Sequence, residues 1–197
     1  MLNTNNIRTE NGGFFMKATG IVRRIDDLGR VVVPKEIRRT LRIREGDPME
    51  IFTNHEGEII LKKYSPIGEI DNFAKQYADS LASVSGNKII ISDRDQIIAV
   101  AGGAKKDLLG RNISSQLEKL IAERNNLTTE GGLKKSIPIV ENEDAPDAGQ
   151  VIYPIICEGD IIGSVIILTK DDSKDVTVTE QKLANVAASF LGKQMES

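Results

Sequence analysis

The sequence predicts an α+β chain in two parts: a small β-rich unit that cannot fold alone, then a mainly antiparallel five-stranded sheet flanked by helices. Three observations carry this. The first part sets short β-branched runs between Gly and Pro punctuation, and it is too short to bury a self-sufficient core. The second part opens and closes on segments with apolar residues at helical spacing and holds five apolar runs between them. Charge reverses from one part to the other. Residues 17–44 carry nine Lys/Arg against three Asp/Glu, net +6, whereas residues 69–197 carry 14 against 20, net −6.

Residues 1–15, MLNTNNIRTENGGFF, are polar and aperiodic and read as a disordered tail. The codons of Gly12 and Gly13 have the form GGN-GGN, which resembles a ribosome-binding site ahead of the Met16 codon. The natural start is therefore expected at Met16, with residues 1–15 a non-native extension. Residues 19–25, TGIVRRI, have the character of a strand. DDLGR is a turn in which Gly29 supplies the positive φ. Residues 31–33, VVV, form a second strand. Pro34 suits the first position of a helix, and KEIRRTLRI follows as about two turns with Ile37 and Leu41 on one face. MEIFTN and GEIILKKY are strands of a hairpin around HEG. The unit at 16–65 thus leaves Ile, Val and Leu without partners, and an obligate dimer is expected.

Ser65 and Pro66 open a linker helix within 66–86 that carries Ile70, Phe73, Ala74, Tyr77, Ala78 and Leu81 on one face. The second domain occupies 87–197. Its expected strands are 88–92, 96–102, 133–140, 150–159 and 160–170, with a helix at 112–125. Gly159 turns the last two strands into a hairpin. Thr177 and Glu180 fit a capping box, and the final helix is expected to carry Leu183, Val186, Ala187, Phe190 and Leu191 on one face.

Composition excludes several functions. No apolar run approaches the ~18 residues of a membrane span. The single cysteine, Cys157, excludes an intramolecular disulfide and reads as a buried small hydrophobe. The lone His55 sits in a turn without ligand-spaced partners, so no metal site is expected. No nucleophile–base–acid set is assembled around it, which argues against an enzyme. AGGAKKDLLG lacks the Gly-Lys-Ser/Thr ending of a phosphate loop. A basic head on an acidic body instead points to a polyanion partner for the head.

The run DDLGRVVVPKEIRR followed by GD resembles the AbrB/MazE-type swapped-hairpin DNA-binding domain over residues 16–65. The second domain resembles a GAF domain in its order of strands and helices. Residues 16–197, including a C-terminal FLGKQME, resemble a family of sporulation regulators of endospore-forming bacteria. The resemblance implies a cytoplasmic, nucleoid-associated transcription regulator that activates some forespore genes and represses others. It implies double-stranded DNA as partner, a dimer through the N-terminal domain and a homotetramer through the GAF-like domains. Recognition arginines carry over to Arg23, Arg30, Arg38 and Arg39. Arginine suits the role, since its planar fork matches both phosphate and the O6/N7 edge of guanine. Asp26 and Asp27 are expected to pair with arginines of the swapped partner. GAF folds commonly hold a small molecule, so an unidentified effector is possible, with segments 101–112 and 141–149 as candidate lining and no individual ligand-binding residue assignable. The alternative is the antitoxin of a toxin–antitoxin pair, which uses the same N-terminal fold but normally ends in a disordered toxin-wrapping tail.

Overall fold

The computed structural model describes residues 6–7, 16–17, 21–65, 67, 71–103, 106–129, 136–170 and 176–196. The chain divides into two compact units, Met1–Asp47 and Pro48–Ser197.

In the first unit, strand β1 (Asn6–Ile7) pairs antiparallel with β2 (Met16–Lys17). Of the expected tail only Asn6 and Ile7 are described; the rest of 1–15 lies outside the described residues. The expected strands at 19–25 and 31–33 are extended over their described residues but belong to no ladder. A strand is defined by its pairing, and here only the turn between them closes, through Asp26 N–H donating to the Arg30 carbonyl at 3.0 Å. Helix α1 (Lys35–Thr40) is shorter than expected.

It ends in a Schellman motif. The Ile43 N–H reaches the Arg38 carbonyl at 2.7 Å and the Arg42 N–H reaches the Arg39 carbonyl at 3.3 Å, with Arg42 left-handed at φ 52°.

The second unit begins with hairpin β3 (Met49–Thr53) and β4 (Ile59–Lys63), in which Ile51 faces Leu61 and Phe52 faces Ile60. Helix α2 (Asp71–Ser85) follows; Pro66 and Ile70 lie outside the described residues. The main sheet comprises β5 (Lys88–Asp93), β6 (Ile97–Ala101), β7 (Leu127–Thr128), β8 (Gln150–Cys157) and β9 (Asp160–Leu168). All neighbours are antiparallel, in the order β6-β5-β9-β8-β7. The two-residue loop of β8–β9, Glu158–Gly159, has φ 48° and 88°, the left-handed pair that a tight hairpin requires.

Helix α3 (Ser115–Ala122) is capped by Ser114, whose hydroxyl accepts the Leu117 N–H at 3.1 Å. Helix α4 (Val178–Gln194) opens with the expected capping box, in which the Thr177 N–H donates to Glu180 at 2.9 Å.

Both faces of the sheet are covered, and successive residues of β5 divide between them. Ile89 and Ile91 join Val151, Ile155, Val165 and Ile167 under α2 and α4, while Ile90 joins Ile152 and Ile166 under Leu117, Ile121 and Val140. This is why KIIIS reads as a continuous apolar run rather than an alternating one. The helices meet the first face through Ala74, Ala78, Ala184, Ala187 and Ala188, and their small side chains allow close approach. Gly192 is the extreme case: a Cβ there would lie 2.1 Å from the Ile156 carbonyl oxygen.

Three expectations change. The fifth strand is Leu127–Thr128, not 133–140. Within that run residues 133–135 lie outside the described residues, and of the remainder only Val140 makes a bridge, to Ile113. Pro138 lacks a ladder donor, and the side chain of Gln150 takes the place of a neighbouring strand. It receives the Ile137 N–H at 2.8 Å and donates to the Ile137 carbonyl at 3.0 Å. On α4 the buried face is Ala184, Ala187, Ala188, Leu191 and Gly192, whereas Val186 is 62% exposed and Phe190 39%. Cys157 is half-buried at the end of β8 rather than fully buried. Burial pushes its thiol pKa up.

Candidate nucleic-acid interface

The basic segment is built on one clamped turn and one short helix. Asp26 does the clamping. One carboxylate oxygen accepts the Leu28 N–H at 3.0 Å and the Arg30 N–H at 2.8 Å; the other accepts Arg30 Nε at 2.8 Å. The Gly29 N–H donates to the Asp26 carbonyl at 3.0 Å, and Gly29 takes φ 76°, a conformation that suits glycine. Hydrogen bonds from the Arg30 backbone, and then its side chain, hold the Asp26 carboxyl below the usual aspartate range. Asp26 therefore pairs with Arg30 of its own chain. The reason is local: the Asp-x-x-Gly-Arg spacing closes a ring that the side chain fits.

Arg30 remains exposed, with its Nε turned back on Asp26. Arg23 is exposed and its Nη1 lies 3.3 Å from the Val22 carbonyl. Arg38 and Arg39 are exposed on α1 and project about 100° apart around its axis. Arg42 and Arg44 are half-buried, and the Arg44 N–H donates to the Asp47 carboxylate at 2.8 Å. The structure thus brings Arg38 and Arg39 together and holds Arg30 on the preceding turn. Two features escape sequence reasoning: the left-handed Arg42, for which no glycine marks the helix end, and the inward role of Asp26.

Each unit also leaves apolar side chains bare. In the first unit Val22 is 85% exposed, and Ile25, Leu28, Val31 and Val32 are also exposed. In the second unit the β3–β4 hairpin exposes Ile51 and Phe52, then Ile59, Ile60 and Leu61. Neighbouring residues of a strand point to opposite faces, so both faces of this hairpin are apolar and uncovered.

The sheet domain holds a separate cavity of about 550 Å³. Gly103 and Leu108 come from the first expected lining segment, and residues 142–146 from the second. Lys88, Ile90, Ile139 and Leu168 complete it. Of the first lining segment, residues 104–105 lie outside the described residues. Among the described residues no group of three or more His, Cys, Asp or Glu could hold a metal ion, and no helix is long and apolar enough to cross a membrane.

Two family models match the chain. Residues 69–196 match the family described as stage V sporulation protein T C-terminal, transcription factor, and residues 22–69 match the family described as antidote-toxin recognition MazE, bacterial antitoxin. The chain is 52% identical over 181 residues to stage V sporulation protein T of Bacillus subtilis, covering 92% of this chain and 99% of that protein. It is 46% identical over 87 residues to the transition state regulatory protein AbrB of the same organism, covering 43% of this chain and 88% of that one. The sheet domain has the fold of the GAF domain of an Acinetobacter phosphoenolpyruvate-protein phosphotransferase, with TM-score 0.51 at 9% identity over 66% of this chain and 87% of that one. An AbrB-type basic unit joined to a GAF fold, matched over nearly its whole length, places this chain in the stage V sporulation protein T family of transcription factors.

Proposed function

We propose that two copies of this chain interlace their first-domain strands, and that the resulting dimer lays Arg23, Arg30, Arg38 and Arg39 on double-stranded DNA. The observation that supports it most is the hairpin whose apolar side chains are bare on both faces, because such a surface persists in water only when covered. Interlacing covers it and doubles the charge of a segment that is net +6 in one copy. Neutralised phosphates then release counterions, which makes binding strong and salt-dependent, while arginine forks on guanine edges supply selectivity. In this reading the protein acts on the nucleoid in the cytoplasm and activates some forespore genes while repressing others. The GAF-like domain joins dimers into tetramers through α2 and α4. No catalytic step is assigned to it.

The test is fluorescence anisotropy on promoter duplexes at two salt concentrations, with wild type and Arg38→Ala/Arg39→Ala. If either arginine reads a base, the double variant loses ~1–3 kcal/mol, and each lost phosphate contact lowers the salt slope by about one. Unchanged affinity and slope in a folded double variant would remove these residues from the interface.

A further inference from the structure

The cavity of the sheet domain is not a central one. The middle of that sheet face is filled by Ile113, Leu117, Ile152 and Ile166, each with essentially no solvent exposure. The open volume lies instead at one end of the sheet, where β5 begins and β9 finishes. Four aliphatic residues share its lining with polar ones: Ile90 and Leu168 from those adjacent strands, with Leu108 and Ile139 beside them.

The charges at this cavity are arranged unevenly. Arg111 forms an ion pair with Glu143 and donates through Nη2 to the Glu141 carbonyl at 3.1 Å, so Glu143 is already neutralised. Lys88 and Asp144 also line the cavity. Neither forms an ion pair with the other or with any other of the described residues. One cation and one anion therefore face the same aliphatic pocket without satisfying each other. Asn142, next to these acids, takes a left-handed φ of 61°, a conformation more often held where surrounding structure demands it.

We infer that this end pocket binds a free α-amino acid with an aliphatic side chain. The carboxylate sits on Lys88, the ammonium on Asp144, and the side chain lies against Ile90, Leu108, Ile139 and Leu168. A ligand of one charge pairs with only one of Lys88 and Asp144, whereas a zwitterion pairs with both. The volume of about 550 Å³ falls within the ~300–1,000 Å³ of small-molecule sites and accommodates such a ligand with ordered water. This deepens the small-molecule role that a GAF-type fold implies and is independent of where DNA binds.

The experiment is isothermal titration of the full-length protein with L-leucine. Two single-charge analogues serve as comparison arms: 4-methylpentanoate, which lacks the ammonium, and isopentylamine, which lacks the carboxylate. L-leucine is expected to bind, each analogue at least about tenfold more weakly. Lys88→Gln and Asp144→Asn should each weaken L-leucine by about tenfold or more while the melting temperature without ligand stays at the wild-type value. Both side chains reach solvent, so neither change removes core packing. Arg38→Ala/Arg39→Ala should bind L-leucine as wild type does, which separates this site from the DNA reading. The proposal is overturned by any of three results: no heat with millimolar L-leucine, 4-methylpentanoate or isopentylamine binding as tightly as L-leucine, or undiminished binding in both pocket variants.

Discussion

Asp93 allows a prediction in which two substitutions at one position move stability differently. It is 5% exposed and lies at the end of β5. One carboxylate oxygen accepts the Asp95 and Gln96 N–H groups, both at 2.7 Å, and the other accepts the Ser65 hydroxyl at 3.1 Å. Beside it Lys63 pairs with Asp95. Asp93 thus shapes the β5–β6 turn and ties to it the chain leaving β4. Asp93→Ala removes all three bonds and strands two turn donors. Hydrogen bonds to a charged acceptor contribute about 1.5–3 kcal/mol each, and relief of the buried charge returns part of that. A net loss of about 3 kcal/mol follows, or roughly 6–12 °C in a chain of this size.

Asp93→Asn keeps an acceptor for both N–H groups and removes the charge, so it should stay within about 1 kcal/mol of wild type. Burial pushes the Asp93 carboxyl above the ordinary aspartate range. Its stabilising contribution is therefore complete below the unfolded value and is lost as pH rises through the raised folded one. Wild type should lose ground to Asp93→Asn across that window and no further above it. Differential scanning calorimetry from acid to neutral pH reads both effects. An alanine variant as stable as wild type, or an asparagine variant that falls as far as alanine, refutes the account.

Gly163→Ala should be among the most damaging single changes. Its Cβ would meet the Ser92 carbonyl oxygen at 2.0 Å, backbone against backbone, so a loss of about 4 kcal/mol or more is expected in the same calorimetry. Arg42→Gly should leave the end of α1 intact and slow amide exchange at Ile43, because glycine accepts φ 52° without the ~1 kcal/mol that another residue spends there; Arg42→Val should speed it. Phe190→Glu should halve the assembled mass measured by light scattering and cost the sheet domain about 1–3 kcal/mol, because it also removes the ring contacts to Phe73 and Tyr77.

What the sequence makes legible is the chemistry that closes on itself within a few residues. The Thr177–Glu180 capping box, the left-handed Glu158–Gly159 loop and the Gly29 turn are each set by neighbours in the chain. The errors fall where a distant group decides. Residues 133–140 have the composition of a strand, but Gln150 reaches the backbone of Ile137 from the next strand and leaves no call for one. Helix α4 carries two apolar stripes, and periodicity favours the bulkier one with Val186 and Phe190. Packing favours the alanines, because only small residues allow the approach to β8 that Gly192 marks. The arginines of the candidate interface were legible as a set of charges. The self-pairing of Asp26 with Arg30 was not, since the sequence offers both a near arginine and, in a swapped dimer, a far one.

The two apolar surfaces differ in kind, and that difference sets an order for the proposed assembly. The β3–β4 hairpin exposes aliphatic and aromatic residues on both faces, uncovered by the described residues. On α2 and α4 the residues left over from sheet packing gather into an aromatic cluster. Tyr77 stacks on Phe190 with ring centroids 5.2 Å apart, and Phe73 lies 6.0 Å from Phe190. Phe73 and Tyr77 are half-buried within the chain itself, and burial already raises the Tyr77 pKa. Such a stripe is tolerable in water, as single exposed aromatics commonly are. In the proposed assembly, association through the hairpin is a condition of folding the first domain, whereas association through the helices is a concentration-dependent step added to it. In that proposed assembly, regulation that alters association without unfolding the protein acts on the second surface.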